Sequence, residues 1–214
     1  MTASRGRKGR RIAAVVGWVA ASALLAACGP LLAKRFPEKQ QFVLEAQRPE
    51  DPHATQVGKS LVVRPFRASP RLDGVKFVYK TGSGAYESDF YHVFWTAPEA
   101  MIADEARRWL EASGLFGSVW DARSVLPPAL MLEGGVLELY ADYTTGGPPH
   151  AILAVSFALV DVEQPIPTVA FHADYRSDVA AKADTPEAIV AAWNAALGDV
   201  LTRFETDLAT RGLR

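Results

Sequence analysis

"ALMLEGGVLELYADYTTGGPPHAILAVSFALVDV", residues 129–162, holds two long apolar runs separated by turn chemistry. Ala129–Tyr143 reads as a long strand, and Gly134-Gly135 in its middle suggests a bulge. "TTGGPPH" is a turn. Ala151–Val162 returns the chain and is apolar at nearly every position, which places it centrally, with both faces covered. "EQPIP" turns again into "TVAFHADY". There Val169, Phe171, Ala173 and Tyr175 alternate with Thr168, His172 and Asp174, the period of a half-buried strand. Three long strands with short turns make an antiparallel meander.

Helical signals flank this meander. Downstream, Thr185 is an N-cap and Pro186 a first helical residue. Ile189, Trp193, Leu197, Val200, Phe204 and Leu208 form an apolar stripe, and Gly212 follows its end. Upstream, Ile102, Ala106, Trp109 and Leu110 lie on one face of a helix expected over 97–113. Thr96 and Glu99 resemble a capping box, and Gly114 is placed as a C-terminal cap. Shorter strands are expected at 41–46, 60–66, 75–80, 89–95 and 115–122. "RASPRLDG" reads as a turn and "TGSG" as a hairpin tip. The expected fold is α+β: a mixed, mostly antiparallel sheet with two amphipathic helices packed on one face. The opposite face is left for solvent or a partner.

The N-terminus carries a different signal. "RGRKGRR" (5–11) is densely basic, and "IAAVVGWVAASALLAA" (12–27) is uncharged and short for a membrane span. Leu25-Ala26-Ala27-Cys28 resembles a bacterial lipobox, and Cys28 is the chain's one cysteine. A lone Cys makes no internal disulfide. The context favours a lipid attachment point at Cys28 over a signal anchor or a buried structural thiol, and two or more acyl chains anchor stably. "GRRIAA" is a poor match to twin-arginine export signals. The expected organisation is a signal peptide at 1–27, a lipidated tether at 28–40 and one domain at 41–214. Five of the 23 basic residues precede Cys28 and all 24 acidic ones follow it, so the processed chain carries a formal net charge of −6. That balance speaks against nucleic acid as a partner.

Candidate chemistry is sparse. His53, His92, His150 and His172 are too far apart in sequence for a metal motif, so no metal or other cofactor is expected. There is no G-x-S-x-G elbow, and "TGSG" lacks the Gly-Lys-Ser/Thr of a phosphate loop. Glu133 with Glu138, or Asp142 with Asp174, could be acid/base pairs, but solvated surface suits them better. The expectation is a protein that is not an enzyme. Aromatics are the richer signal. "FVYKTGSGAYESDFYHVFW" (77–95) carries them at both strand parities. They make either a wide aromatic core or a partner surface, for which Phe77, Tyr79, Tyr86 and Tyr91 are the candidates.

A set of segments together resembles the ABC-type transport auxiliary lipoprotein family, the PqiC-like proteins. These are the lipobox, the "FVL" segment, "LVVRPF…RLDGVKFVYKTG…YHVFW", "TAPEAMIADEARRWLEASGLFGSV" and "DTPEAIVAAWNAALGDVLTRFETDL". Leu72-Asp73 stands for the family's Leu-Asp turn and Phe94-Trp95 for its aromatic-Trp sequence. "QQFVLEA" departs from it, because the tyrosine pair usual in the family's first strand is absent. The resemblance implies a non-catalytic scaffold subunit that accompanies an MCE-domain protein and an ABC permease and ATPase in lipid transport. It implies an outer-membrane lipoprotein facing the periplasm, and Gly29 is not the aspartate that favours inner-membrane retention. A homo-oligomeric ring would fit a subunit that caps a tubular partner. The alternative is a lipoprotein that assists assembly of another outer-membrane complex.

Overall fold

The computed structural model describes residues 38–48, 58–72 and 74–212. The expected signal peptide, Cys28, most of the tether, His53 and Asp73 lie outside the described residues. Nine strands and two helices follow in the order β1 (Gln40–Phe42), β2 (Ser60–Val63), β3 (Arg67–Ala68), β4 (Lys76–Gly82), β5 (Ala85–Phe94), α1 (Pro98–Ser113), β6 (Ser118–Asp121), β7 (Leu130–Asp142), β8 (His150–Asp161), β9 (Thr168–Ala180) and α2 (Pro186–Thr210).

The sheet is organised around β7. Its whole length pairs antiparallel with β8, and β8 pairs antiparallel with β9. Its other edge is shared by β2, β3 and β4 in succession, each parallel to it over two or three residue pairs. β5 returns antiparallel to β4 through the Ser83-Gly84 turn, and β1 lies parallel to β5. β6 closes that side as a parallel neighbour of β2. The sheet is mixed and open, with its long ladders antiparallel.

Both helices cover one face. α1 packs on β2 and β6, and α2 on β8 and β9. The α2 stripe is fully buried from Ile189 to Leu208, and Trp193 lies edge-on to Phe77 at 4.9 Å while Phe204 stacks on Phe157 at 4.2 Å. Thr185 Oγ1 accepts the Ala188 N–H, as its cap position requires. At α1 the cap differs from the expected box. Ala97 holds the cap position at φ −55°, ψ 125°, with no side-chain bond. Pro98 forces the residue before it out of the helical region, so Ala97 takes the cap slot and Thr96 falls one residue too early. Gly114 ends α1 in the left-handed conformation, φ 71°.

Four strand readings change. Residues 43–48 do not extend β1. They cross the helices, with Leu44 in the core, the Glu45 N–H donating to Asn194 Oδ1 and the Ala46 N–H to Glu105 Oε2. Arg48 donates to both carboxylate oxygens of the buried Glu205, which also accepts the Trp109 indole N–H at 2.7 Å. Side chains thus satisfy a segment that no neighbouring strand reaches. "RASPRLDG" supplies β3 before it turns. The β7 bulge falls at Leu137, between Val136 and Glu138, rather than at the glycine pair. A second bulge at Ala170 turns Val169 outward, to 66% exposure, although Phe171 and Tyr175 on the same parity are buried.

Candidate functional site

The sheet face opposite the helices presents Glu133, Gly135, Glu138, Tyr140 and Asp142 from β7, and the residues beside them in β8 and β9. Its upper half holds a small second cluster, Val78, Tyr140 and Ile152. Tyr86 stands edge-on to the Tyr140 ring at 5.5 Å and is 51% exposed. The Lys80 ammonium lies 5.9 Å over the same ring and donates to Asp142 Oδ2 at 2.8 Å. Burial alone would raise the Asp142 carboxyl, but hydrogen bonds from Lys80 and Thr144 outweigh it and hold it at about 2. Charges nearby are paired too: His150 with Asp178 at 2.6 Å and Arg176 with Glu138 at 3.1 Å.

Asp89 organises the irregular middle of β5. Its Oδ2 accepts the Tyr79 hydroxyl at 2.7 Å and lies 2.6 Å from His92 Nδ1, while Oδ1 accepts the Tyr91 and His92 N–H groups. Desolvation pushes this carboxyl up, and the hydrogen bonds from Tyr79, His92 and the backbone prevail and lower it to about 2. The Tyr79 hydroxyl is pushed well above the usual tyrosine range, first by burial and then by its bond to Asp89. A carboxylate–imidazole pair of this kind orients a base in hydrolases. Here the hydroxyl within reach already donates to the carboxylate, so the cluster fixes the strand.

The expected partner residues separate in space. Phe77, expected as a candidate for a partner surface, belongs instead to the core: it is fully buried under α2, against Phe42, Phe94 and Trp193, and has no exposed surface to offer. Tyr79 is half-buried, its ring edge-on to Tyr143 at 5.6 Å. Tyr86 stands on the uncovered face, and Tyr91 is half-exposed against the Phe90 ring at 5.2 Å. Phe90 and Trp95 are each 66% exposed, and the Lys39 ammonium sits 5.1 Å over Phe90. Lys39–Phe42 thus enters the sheet beside the exposed aromatics of β5. Of the paired carboxylates, Glu138 and Asp142 are bound to cations, and Asp174 is exposed on the edge strand β9.

The lower half of the uncovered face holds a cleft of about 510 Å³ that sequence reasoning missed. Arg64, Arg67, Glu133, Ser156 and His172 surround it. Ser156 Oγ lies 3.2 Å and Asp174 Oδ1 3.9 Å from His172, both at Nε2. A catalytic triad places serine and carboxylate on opposite ring nitrogens, so these three do not form one. Arg67 opposes Gly135 only because β3 pairs with β7, and β3 reads as a turn in the sequence. Among the described residues no three His, Cys, Asp or Glu gather to hold a metal ion, and no helix is long and apolar enough to cross a membrane.

No family model matches the chain, and no curated protein matches it. The fold has solved counterparts. A DUF330 protein from Xanthomonas campestris superposes with a TM-score of 0.67 over 81% of this chain and 95% of its own, at 19% identity. An uncharacterised protein superposes with a TM-score of 0.64 over 80% of this chain and 99% of its own, at 12% identity. At these identities the likeness is one of fold.

Proposed function

We propose that this chain is a periplasm-facing outer-membrane lipoprotein, anchored through acylated Cys28, and a non-catalytic scaffold subunit of an MCE-type ABC lipid-transport system. The observation that carries the reading is the asymmetry of the sheet. Two helices seal one face, while the other presents Tyr86 over its own small apolar cluster, flanked by paired charges. An apolar patch rimmed by polar groups is the anatomy of a contact surface. The lipobox and the resemblance to the auxiliary lipoproteins supply the setting. Fully extended, the residues between Cys28 and Lys39 reach at most about 40 Å, so the domain works close to its membrane. The Asp89 cluster holds the β4–β5 hairpin in one shape, which preorganises the contact.

Copurification tests the reading. The full-length chain, extracted from membranes in mild detergent, should bring down an MCE protein with its permease and ATPase. Charge substitutions Y86E and Y91E should abolish that capture while far-ultraviolet circular dichroism stays unchanged. C28S should lose acylation and membrane partition. Capture of β-barrel or polysaccharide-export components instead would establish the alternative role, in assembly of another complex.

A further inference from the structure

The cleft on the lower uncovered face departs from its surroundings in one respect. Several charges elsewhere on this face are paired, Lys80 with Asp142, His150 with Asp178 and Arg176 with Glu138, while Arg71 makes no side-chain ion pair among the described residues. Around the cleft, Arg64, Arg67 and Glu133 make no side-chain ion pair or hydrogen bond among the described residues. Two cations and one anion therefore face a common space without neutralising one another, in a domain whose net charge is negative.

The backbone explains why the space exists. Arg67, Gly135, Ser156 and Asp174 form one row across β3, β7, β8 and β9, and Glu133, Ala158 and His172 form the next. Gly135 and Ala158 put no bulk at the centre of these rows, and a Cβ on Gly135 would meet only the Arg67 carbonyl oxygen, at 3.8 Å. Long side chains stand at the rim and the floor is flat. The volume, about 510 Å³, falls within the roughly 300–1,000 Å³ of small-molecule sites.

The geometry points to a binding site for a zwitterionic phosphoester, a phosphate group joined to an amine. Arginine forks suit the oxygens of a phosphate, and the Ser156 hydroxyl and the His172 imidazole add donors from the β8–β9 side. Glu133 repels a bare anion but pairs with an ammonium carried on the same ligand. Phosphoethanolamine has both groups. It occurs as a phospholipid headgroup and as a soluble metabolite-sized ester, and the open cleft admits either. This site goes beyond the scaffold role and stands without it: failure to capture transporter subunits would leave it intact.

Calorimetric titration of the full chain in detergent tests the site with four probes. These are phosphoethanolamine, inorganic phosphate, dihexanoyl phosphatidylethanolamine and dihexanoyl phosphatidylglycerol. Saturable binding is expected for the probes that carry both phosphate and amine. R64A/R67A should weaken it about tenfold or more, with circular dichroism unchanged because both side chains are exposed. E133Q should remove the preference for phosphoethanolamine over phosphate. Binding of the lipid alone assigns the ligand to the membrane, and equal binding of the soluble ester assigns the site to the headgroup. Absence of saturable binding, or equal affinity for the amine-free probes, overturns the proposal.

Discussion

The two faces of the sheet are built from alternate residues of the same strands and obey different rules. On the helix side β7 contributes Leu130, Leu132, Val136, Leu139 and Ala141 to a continuous core with Trp193 and Phe204. On the other side it contributes Glu133, Gly135, Glu138, Tyr140 and Asp142, which meet charges, one small cluster and a cleft. The difference separates stability from contact. Substitutions on the first face should act on folding, and those on the second on binding.

The largest effect is expected at Trp193, which is fully exposed to core packing and not at all to solvent, at 0%. W193A should cost about 3–5 kcal/mol in denaturant unfolding. An unchanged midpoint would mean that α2 is no part of the core. The glycine pair gives the sharper contrast, because its members differ in which face they open. A Cβ on Gly134 would lie 2.6 Å from three carbons of the buried Phe66 ring, so G134A should cost about 1–3 kcal/mol. G135A, in the cleft floor, should change stability by no more than about 0.5 kcal/mol. Equal losses at both positions would erase the division between the faces.

Smaller effects follow. T185A removes the α2 cap and should cost about 1 kcal/mol; a loss of helix signal confined to its first turn would agree. The Asp89 carboxyl is depressed from 3.8 to about 2 in the fold. Its contribution is complete above the unfolded value and is lost as pH falls through the folded one. Acid titration of stability in D89N should therefore be flatter than in the wild type between about pH 4 and pH 2. Parallel curves would remove Asp89 from the account.

How far these features can be read in the sequence depends on the range of the interactions that make them. α2 is legible because Thr185, Pro186 and a stripe of period 3.6 are local signals that agree. The meander is legible because its turns are short. The Ala170 bulge is not, since it depends on the register against Leu159 and Val160. The crossing of residues 43–48 is also hidden, because its partners Glu105, Asn194 and Glu205 lie far along the chain. The aromatic cluster at 77–95 was visible as composition, but its division between core and surface was not. A bulged β5 and a half-covered β4 decide that Phe77 faces α2 while Tyr86 faces outward. The cleft left no local trace, since Arg67 reaches it through a two-residue strand that pairs with β7 and Arg64 from the end of β2, where its N–H bonds the Leu132 carbonyl.

Site-specific photocrosslinking in intact cells tests the division most directly. A photoreactive residue placed at Tyr86 or Ser88, beside the uncovered face, should join the chain to the MCE protein proposed as its partner. The same residue at Glu111 or Thr206, on the outer surfaces of α1 and α2, should not. Crosslinks to that partner from the helices, with none from β5, would contradict the assignment of the uncovered sheet face as the working surface.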